Sequence, residues 1–370
     1  MTKFKKKIQY YFKKIFQLVF LLIYGKIKYQ KDTVYSNNVI KRKIKNIVSD
    51  IKDSKSYFSY KIKNGRIYTD YVEHVAIIDG NTLVNEVSYQ QVLGELKDSK
   101  KNIVLNKGTP RIKKRIEGRV LSLVQGASGN KNYLHWVFDI LPKIKLCSEH
   151  YPLSEIDFFY APSLQYFQKE TLSVLNIDKN KILDSNVNRH IEARELVVVD
   201  HPWYHKGFIL SEVEFLPAWI ISWLRDVYLK HARKFDNNEK IYIDRTESEF
   251  KHCQIQNDKE VFDFLKQKGF SKYRTGELSF FEQIYLFNNA KFIIGAHGAA
   301  FTNLTFCKPN TNIIEIKPLA HPNNVNKRIS QINKLNYRLI KTKNLDENKK
   351  KFGDIYLPIK ELEHCLKSFD

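Results

Sequence analysis

The chain has 370 residues, a formal net charge of +22 and a composition that is 43% hydrophobic and 13% aromatic, which suits two folded domains with a core each and excludes a disordered chain. Cys147, Cys253, Cys307 and Cys365 lie far apart with no C-x-x-C pair, excluding a disulfide framework and a cysteine zinc site and pointing to a reducing compartment. The positive charge favours anionic partners, but the lysines are scattered and no nucleic-acid-binding signature accompanies them, so no nucleic-acid partner is expected.

Residues 1–30 combine Lys3, Lys5, Lys6, Lys7, Lys13 and Lys14 with Phe4, Ile8, Tyr11, Phe12, Ile15, Leu18, Val19, Leu22 and Ile23 at helical spacing. The apolar run from Ile15 to Tyr24 is about half the ~20 residues a spanning helix requires. An amphipathic helix on an anionic membrane surface is expected, with no secretory cleavage site; packing of the helix on the protein body is the alternative.

Residues 31–65 read as a connecting region and 66–235 as a first α/β domain, in which Val75–Ile78, Ile103–Leu105, Val120–Val124, Phe158–Tyr160 and Leu196–Val199 are strand-like runs. Its most informative segment runs from Gly129 to Lys143. Helical spacing puts His135 and Asp139 on one face, as an imidazole with a carboxylate to orient it, and Pro142 is expected to end the segment. An ordinary core or capping pair has the same spacing. Glu212–Lys234 has helical spacing and reads as a crossover.

Residues 236–370 alternate more cleanly. Strands are expected at Ile241–Ile243, Lys291–Ile294, Ile313–Ile316 and Tyr337–Ile340. Helices are expected at Lys259–Lys268, Leu278–Asn289, Phe301–Cys307 and Asn323–Leu335, giving a parallel sheet wrapped by helices. Ile359–Phe369 is expected to pack back across the first domain. Within this half, Gly295-Ala296-His297-Gly298-Ala299 joins an apolar strand to a helix start and offers free amides to a phosphate. Asn303 follows in the same helix. Arg245 stands at the C-terminal end of a strand, where open α/β sheets bind ligands, and its planar fork suits a diphosphate unless Asp244 pairs with it instead. Glu315 puts a carboxylate into an apolar strand, which requires a ligand hydroxyl or an ionic partner. Glu282 opens a helix near the same edge, where acids are favoured in any case.

Asn132-Tyr133-x-His135-Trp136-x-x-Asp139-x-Leu141-Pro142, Tyr242-x-x-Arg245, Leu278-Ser279-Phe280-x-Glu282-Gln283, Gly295-x-His297-Gly298-Ala299 with Asn303, and Glu315-Ile316-x-Pro318 together resemble the glycosyltransferases of family 61, known from capsular polysaccharide biosynthesis proteins. The resemblance spans about residues 115–320. It implies a GT-B-like enzyme of two Rossmann-like domains, inverting transfer from a nucleotide sugar, UDP-linked, and a site between the halves. His135 and Asp139 would be catalytic, with Asn132, Tyr133 and Trp136 on the acceptor side. Arg245, Gly295, His297, Gly298, Ala299, Asn303, Glu282 and Glu315 would bind the donor. The Arg cluster usual after Tyr-x-x-Arg is replaced by Thr246–Gln256, where only Lys251 and His252 are basic, before Asn257. The chain contains no acidic D-x-D pair, so no metal or other cofactor is expected and diphosphate charge falls to cationic side chains and backbone dipoles. The expected partners are a nucleotide sugar, a glycan or lipid-linked glycan acceptor and an anionic membrane, in the bacterial cytoplasm at the inner membrane. Pyruvyl or phosphosugar transfer on a similar fold, and non-catalytic glycan or nucleic-acid binding, remain as alternatives.

Overall fold

The computed structural model describes residues 3–30, 35–51, 56–71, 74–92, 95–124, 132–204, 207–246, 252–343, 345 and 353–369. The chain divides into two compact units, Met1–Lys169 with Asn176–Ile209, and Glu170–Leu175 with Leu210–Asp370. The segment Glu212–Lys234 therefore counts with the second unit; Pro217 caps its main helix, Ala218–Tyr228.

In the first unit, four parallel strands lie in the order Ile182–Asp184, Phe158–Ala161, Lys114–Ser122, His190–Val199. In chain order this is 3-2-1-4, as in the first half of a dinucleotide-binding sheet. His190–Val199 is the pivot of a wider sheet, because Phe58–Lys63 and Arg66–Tyr71 both pair with it antiparallel. Ile62, Ile67, Val120, Ile191, Leu196 and Val198 are fully buried in one core there, so the strand reads as an apolar run on both faces.

Two expectations are corrected in this unit. Residues 31–65 are more than a connection: Val39–Lys43 and Phe58–Lys63 form an antiparallel pair within the sheet. Their Lys-rich exposed face hid the alternation. Ile103–Leu105 is no strand, because Asn102 accepts a hydrogen bond from the Val104 amide and Gly108, at φ 64, closes a single helical turn, Val104–Lys107.

The N-terminal helix spans Lys3–Tyr24. Its C-terminal end is tied to the unit: the Tyr24 hydroxyl accepts from the Lys113 amide, the ring meets His190 edge-on, and Ile27 is buried. Farther back, Ile8, Tyr11, Phe12, Ile15, Leu18 and Leu22 are all exposed. No helix among the described residues is long and apolar enough to cross a membrane.

The second unit has a five-stranded parallel sheet, ordered Ser271–Tyr273, Lys240–Ile243, Phe292–Ala296, Asn312–Pro318, Asn336–Thr342. In chain order this is 2-1-3-4-5, a doubly wound arrangement. Tyr242, Ile294, Ile314 and Ile316 form its core with helix residues Val261 and Leu265. Ile359–Lys367 does not belong to the first domain as expected. Its Leu362 is buried in this second core and Phe369 lies against Phe292 with ring centroids 5.0 Å apart.

Candidate active site

Where the order of a parallel sheet reverses, connections leave in opposite directions and a crevice opens beyond the strand ends. In the first unit that place is between the C-terminal ends of Lys114–Ser122 and His190–Val199. The first strand leads into the segment containing His135 and Asp139, and the second into Asp200-His201-Pro202-Trp203. Gly129, Asn130 and Lys131 lie outside the described residues.

Asn132 starts the helix by accepting from the Leu134 amide at 3.0 Å. After Tyr133–His135 the backbone widens to a π turn over Trp136–Ile140, in which the Leu141 amide reaches back to Trp136 O, and then tightens to an α-helix over Leu141–Ser148. Such turns concentrate at functional sites. Pro142 does not end the segment as expected. It sits in the first turn of the last part, where the π turn has already interrupted the usual ladder and its missing N–H costs little.

Asp139 is wholly buried and uses both oxygens: Oδ2 is 2.8 Å from His135 Nδ1, and Oδ1 accepts from Trp203 Nε1 at 2.9 Å. Burial alone would raise its pKa, but the charge and hydrogen bond of His135, aided by His201, outweigh it and hold Asp139 ionised well below the usual carboxylate range. The His135 side chain keeps 19% of its surface, so its second nitrogen is the part of this pair placed to meet a substrate. One turn beyond Asp139, Lys143 is fully buried, and burial pushes its ammonium down to about 7 against the pull of Asp139. Of the expected acceptor-side residues, Asn132 is a helix cap and Tyr133 lies against Phe167 with centroids 5.2 Å apart. Trp136 is wholly enclosed, because the next residue along a helix turns away from the face that carries His135.

In the second unit the reversal falls between Lys240–Ile243 and Phe292–Ala296, and there the structure brings Arg245 against His297 and Gly298. The Arg245 fork donates to the backbone carbonyls of His297 and, at 3.3 Å, His252. A Cβ on Gly298 would fall 1.3 Å from Arg245 Nη1, so the guanidinium occupies the room a side chain would need. Asp244 is not its partner; that carboxylate pairs with Arg274 at 2.9 Å. Among the described residues no acid forms an ion pair with Arg245, and its buried Nε has no hydrogen-bond partner. Beside it opens a cleft of about 230 Å³ lined by Tyr242, Thr246, Gln254, Gln256 and Asp258.

Under the turn, Glu315 is wholly buried and bonded to His297 Nδ1, to Tyr337 and to Asn326 Nδ2 at 2.7 Å. Burial would raise its pKa, yet His297, Lys317 and Tyr337 hold it at about 2. Glu315 thus orients His297. Gly295 packs inward, where a Cβ would come 3.0 Å from Ile243 Cβ and 3.1 Å from Phe301. Ala299–Phe306 winds as a 3-10 helix after Gly298, and within it Asn303 donates to Gln283 at 2.9 Å and to Ala300 O at 3.1 Å. Glu282 stands at another helix start, closing a capping box with Ser279. Sequence reasoning missed His201, Trp203 and Lys143 in the first unit and His252 and His321 in the second; the only sign was the His-Pro-Trp run after an apolar strand. Among the described residues no three His, Cys, Asp or Glu side chains are placed to hold a metal ion.

The histidines of the second site make acid sensitivity testable. His321, whose ring centroid is 4.1 Å from that of His297, is lowered to about 3 by burial and by the charges of His297 and Lys317. His252 is lowered to about 4 by burial and by Arg245. The unfolded chain binds these protons near pH 6.5 and the folded one does not, so their stabilisation is complete above 6.5 and is lost as pH falls below it. Each such group contributes up to about 1.4 kcal/mol per pH unit. Thermal unfolding at pH 7 and pH 5 should show a smaller acid-induced drop in Tm for His321→Asn than for the parent, whereas parallel curves would remove His321 from the linkage.

The Glycosyltransferase 61 family model matches residues 133–314. No curated protein matches the chain. The matched stretch begins at the helix of His135 and Asp139, runs through Arg245 and the His297–Gly298 turn, and ends one residue before Glu315. The chain therefore carries a glycosyltransferase family 61 domain over residues 133–314.

Proposed function

We propose that this glycosyltransferase moves a sugar, with inversion, from a nucleotide-diphosphate donor, UDP-linked, to a glycan acceptor hydroxyl, without a metal ion. The observation that carries the reading is Arg245, a half-buried guanidinium at a strand-order reversal with no acid paired to it among the described residues and a buried Nε that has no hydrogen-bond partner. Keeping such a charge dry is costly unless an anion completes the site. A diphosphate does so: it would accept from the Arg245 fork and the amides near Gly298, and as the glycosidic bond breaks these donors would stabilise the growing charge on the leaving group. The two strand orders support reading the units as the Rossmann-like halves of a GT-B-like enzyme.

His135 is the proposed base. Both Asp139 oxygens are already bonded, and Asp139 fixes the imidazole through Nδ1, leaving Nε2 to take the acceptor hydroxyl proton as oxygen attacks the anomeric carbon. The acceptor is proposed to belong to capsule or lipopolysaccharide assembly on the cytoplasmic side of a bacterial inner membrane. The exposed apolar and basic residues of Lys3–Tyr24 support a peripheral membrane contact.

Three measurements test this reading. With UDP as the probe, Arg245→Ala and Gly298→Ala should each lose most of the thermal shift the parent shows, the first by deleting the fork and the second by displacing it; loss of one charge-assisted contact corresponds to about 1.5–3 kcal/mol. Wild-type UDP affinity in both folded variants would take the donor phosphates away from this turn. In turnover with a panel of UDP-sugars, His135→Ala should fall by roughly 10²–10⁴ while UDP binding holds, and the parent should keep its rate in EDTA. A fully active His135→Ala, or loss of parent activity restored by magnesium, refutes the corresponding half of the mechanism. Finally, the triple variant Phe12→Ser, Leu18→Ser, Leu22→Ser should sediment far less with anionic phosphatidylglycerol vesicles than the parent does, and equal sedimentation would count against a membrane role for this helix.

A further inference from the structure

The polar cluster behind His135 is larger than a base and its carboxylate. Asp139 is anchored from the segment that follows His190–Val199: Trp203 donates its indole N–H to Oδ1 at 2.9 Å, and His201 places Nε2 at 3.8 Å from Oδ2. The His201 ring is itself fixed, since its Nδ1 accepts from the amides of Tyr204 at 2.9 Å and Trp203 at 3.4 Å. An Nδ1 that accepts leaves the proton on Nε2, so His201 turns an N–H toward the carboxylate. That Nε2 is buried and has no hydrogen-bond partner among the described residues, and both Asp139 and His201 are fully enclosed.

A buried donor just beyond bonding reach of a buried carboxylate has one useful consequence. The oxygen nearest His201 is the one His135 holds, so the two imidazoles compete for Oδ2, and Trp203 pins the other oxygen. Trp203 lies 64 residues from Asp139 in sequence and His201 in the same loop, so their placement depends on the strand pairing and not on the helix itself.

Resting on the proposed base role of His135, we infer that Trp203 is a positioning residue for that base: it locks the Asp139 carboxylate so that one oxygen faces His135 Nδ1, fixing the tautomer that leaves Nε2 able to accept a proton. Trp203 is the restraining contact, and His201 is the alternative partner that captures Asp139 when the restraint is removed.

The full-length protein labelled with ring-15N histidine tests this without a known donor. In the parent, His135 should show an Nδ1 proton resonance, shifted downfield by its carboxylate partner and absent in Asp139→Asn. Trp203→Phe keeps the aromatic volume and removes only the indole donor. It should broaden or lose that proton and shift the His201 Nε2 signal as Asp139 turns toward it. In the double variant Trp203→Phe, His201→Phe the competing donor is gone, and the His135 Nδ1 proton should return at least in part. Unchanged His135 signals in a Trp203→Phe protein whose other histidines resonate as in the parent would overturn the inference, as would failure of the double variant to restore what the single one lost. A misfolded single variant shifts the remaining histidines, and the decision then passes to His201→Phe, which should leave the His135 proton intact; its loss there would overturn the inference too. Turnover of UDP-sugars separates the two readings: if Trp203→Phe perturbs His135 as described but His135→Ala still transfers sugar, the base role falls and the positioning stands.

Discussion

Two neighbouring parallel strands whose connections depart in opposite directions leave their C-terminal ends uncovered, and each unit of this protein gathers its candidate site residues at such a gap. In the first unit the gap holds His135, Asp139, His201 and Trp203, supplied by the continuations of two adjacent strands. In the second it holds Arg245, His297 and Gly298, supplied the same way. The rest of the fold serves these positions: apolar strands bury the sheets, and helices return the chain so that the next strand delivers its end at the same edge.

Both gaps contain charge taken out of water, and they handle it differently. Asp139 and Glu315 are buried acids kept ionised by imidazole and hydrogen-bond donors, so each makes its histidine a fixed element. Arg245 is a half-buried cation that, among the described residues, donates to backbone carbonyls and to no acid. An acid already compensated is a structural tool, whereas a cation with donors to spare is the part of a site that waits for a ligand.

How much of this could be read in the amino-acid order depends on the range of each interaction. His135 and Asp139 meet one turn apart, so helical spacing sufficed to pair them. The strands of the second unit were legible because buried parallel strands are continuous apolar runs. Val39–Lys43 and Phe58–Lys63 were not, since basic residues on their open face mask a period of two. Trp203 was invisible for another reason: its partner is reached only after the chain has crossed two helices and three strands. Glu282, a carboxylate within a family motif, does the local work of a capping box with Ser279. Trp136 likewise follows His135 in the motif yet belongs to the core.

The π turn over Trp136–Ile140 has a consequence for how this region tolerates change in length. It accommodates one residue more than an α-helix would between fixed ends. An α-helix advances about 100° around its axis and 1.5 Å along it per residue. Deleting a single residue there would let the ladder close into a regular helix with its ends in place, while the residues inside the turn change position against those ends. A deletion between His135 and Asp139 would set the carboxylate three residues after the imidazole instead of four, away from the place where Trp203 holds it. The turn is in effect a register mark, and insertions or deletions on either side of it are readily absorbed only where they leave that count intact.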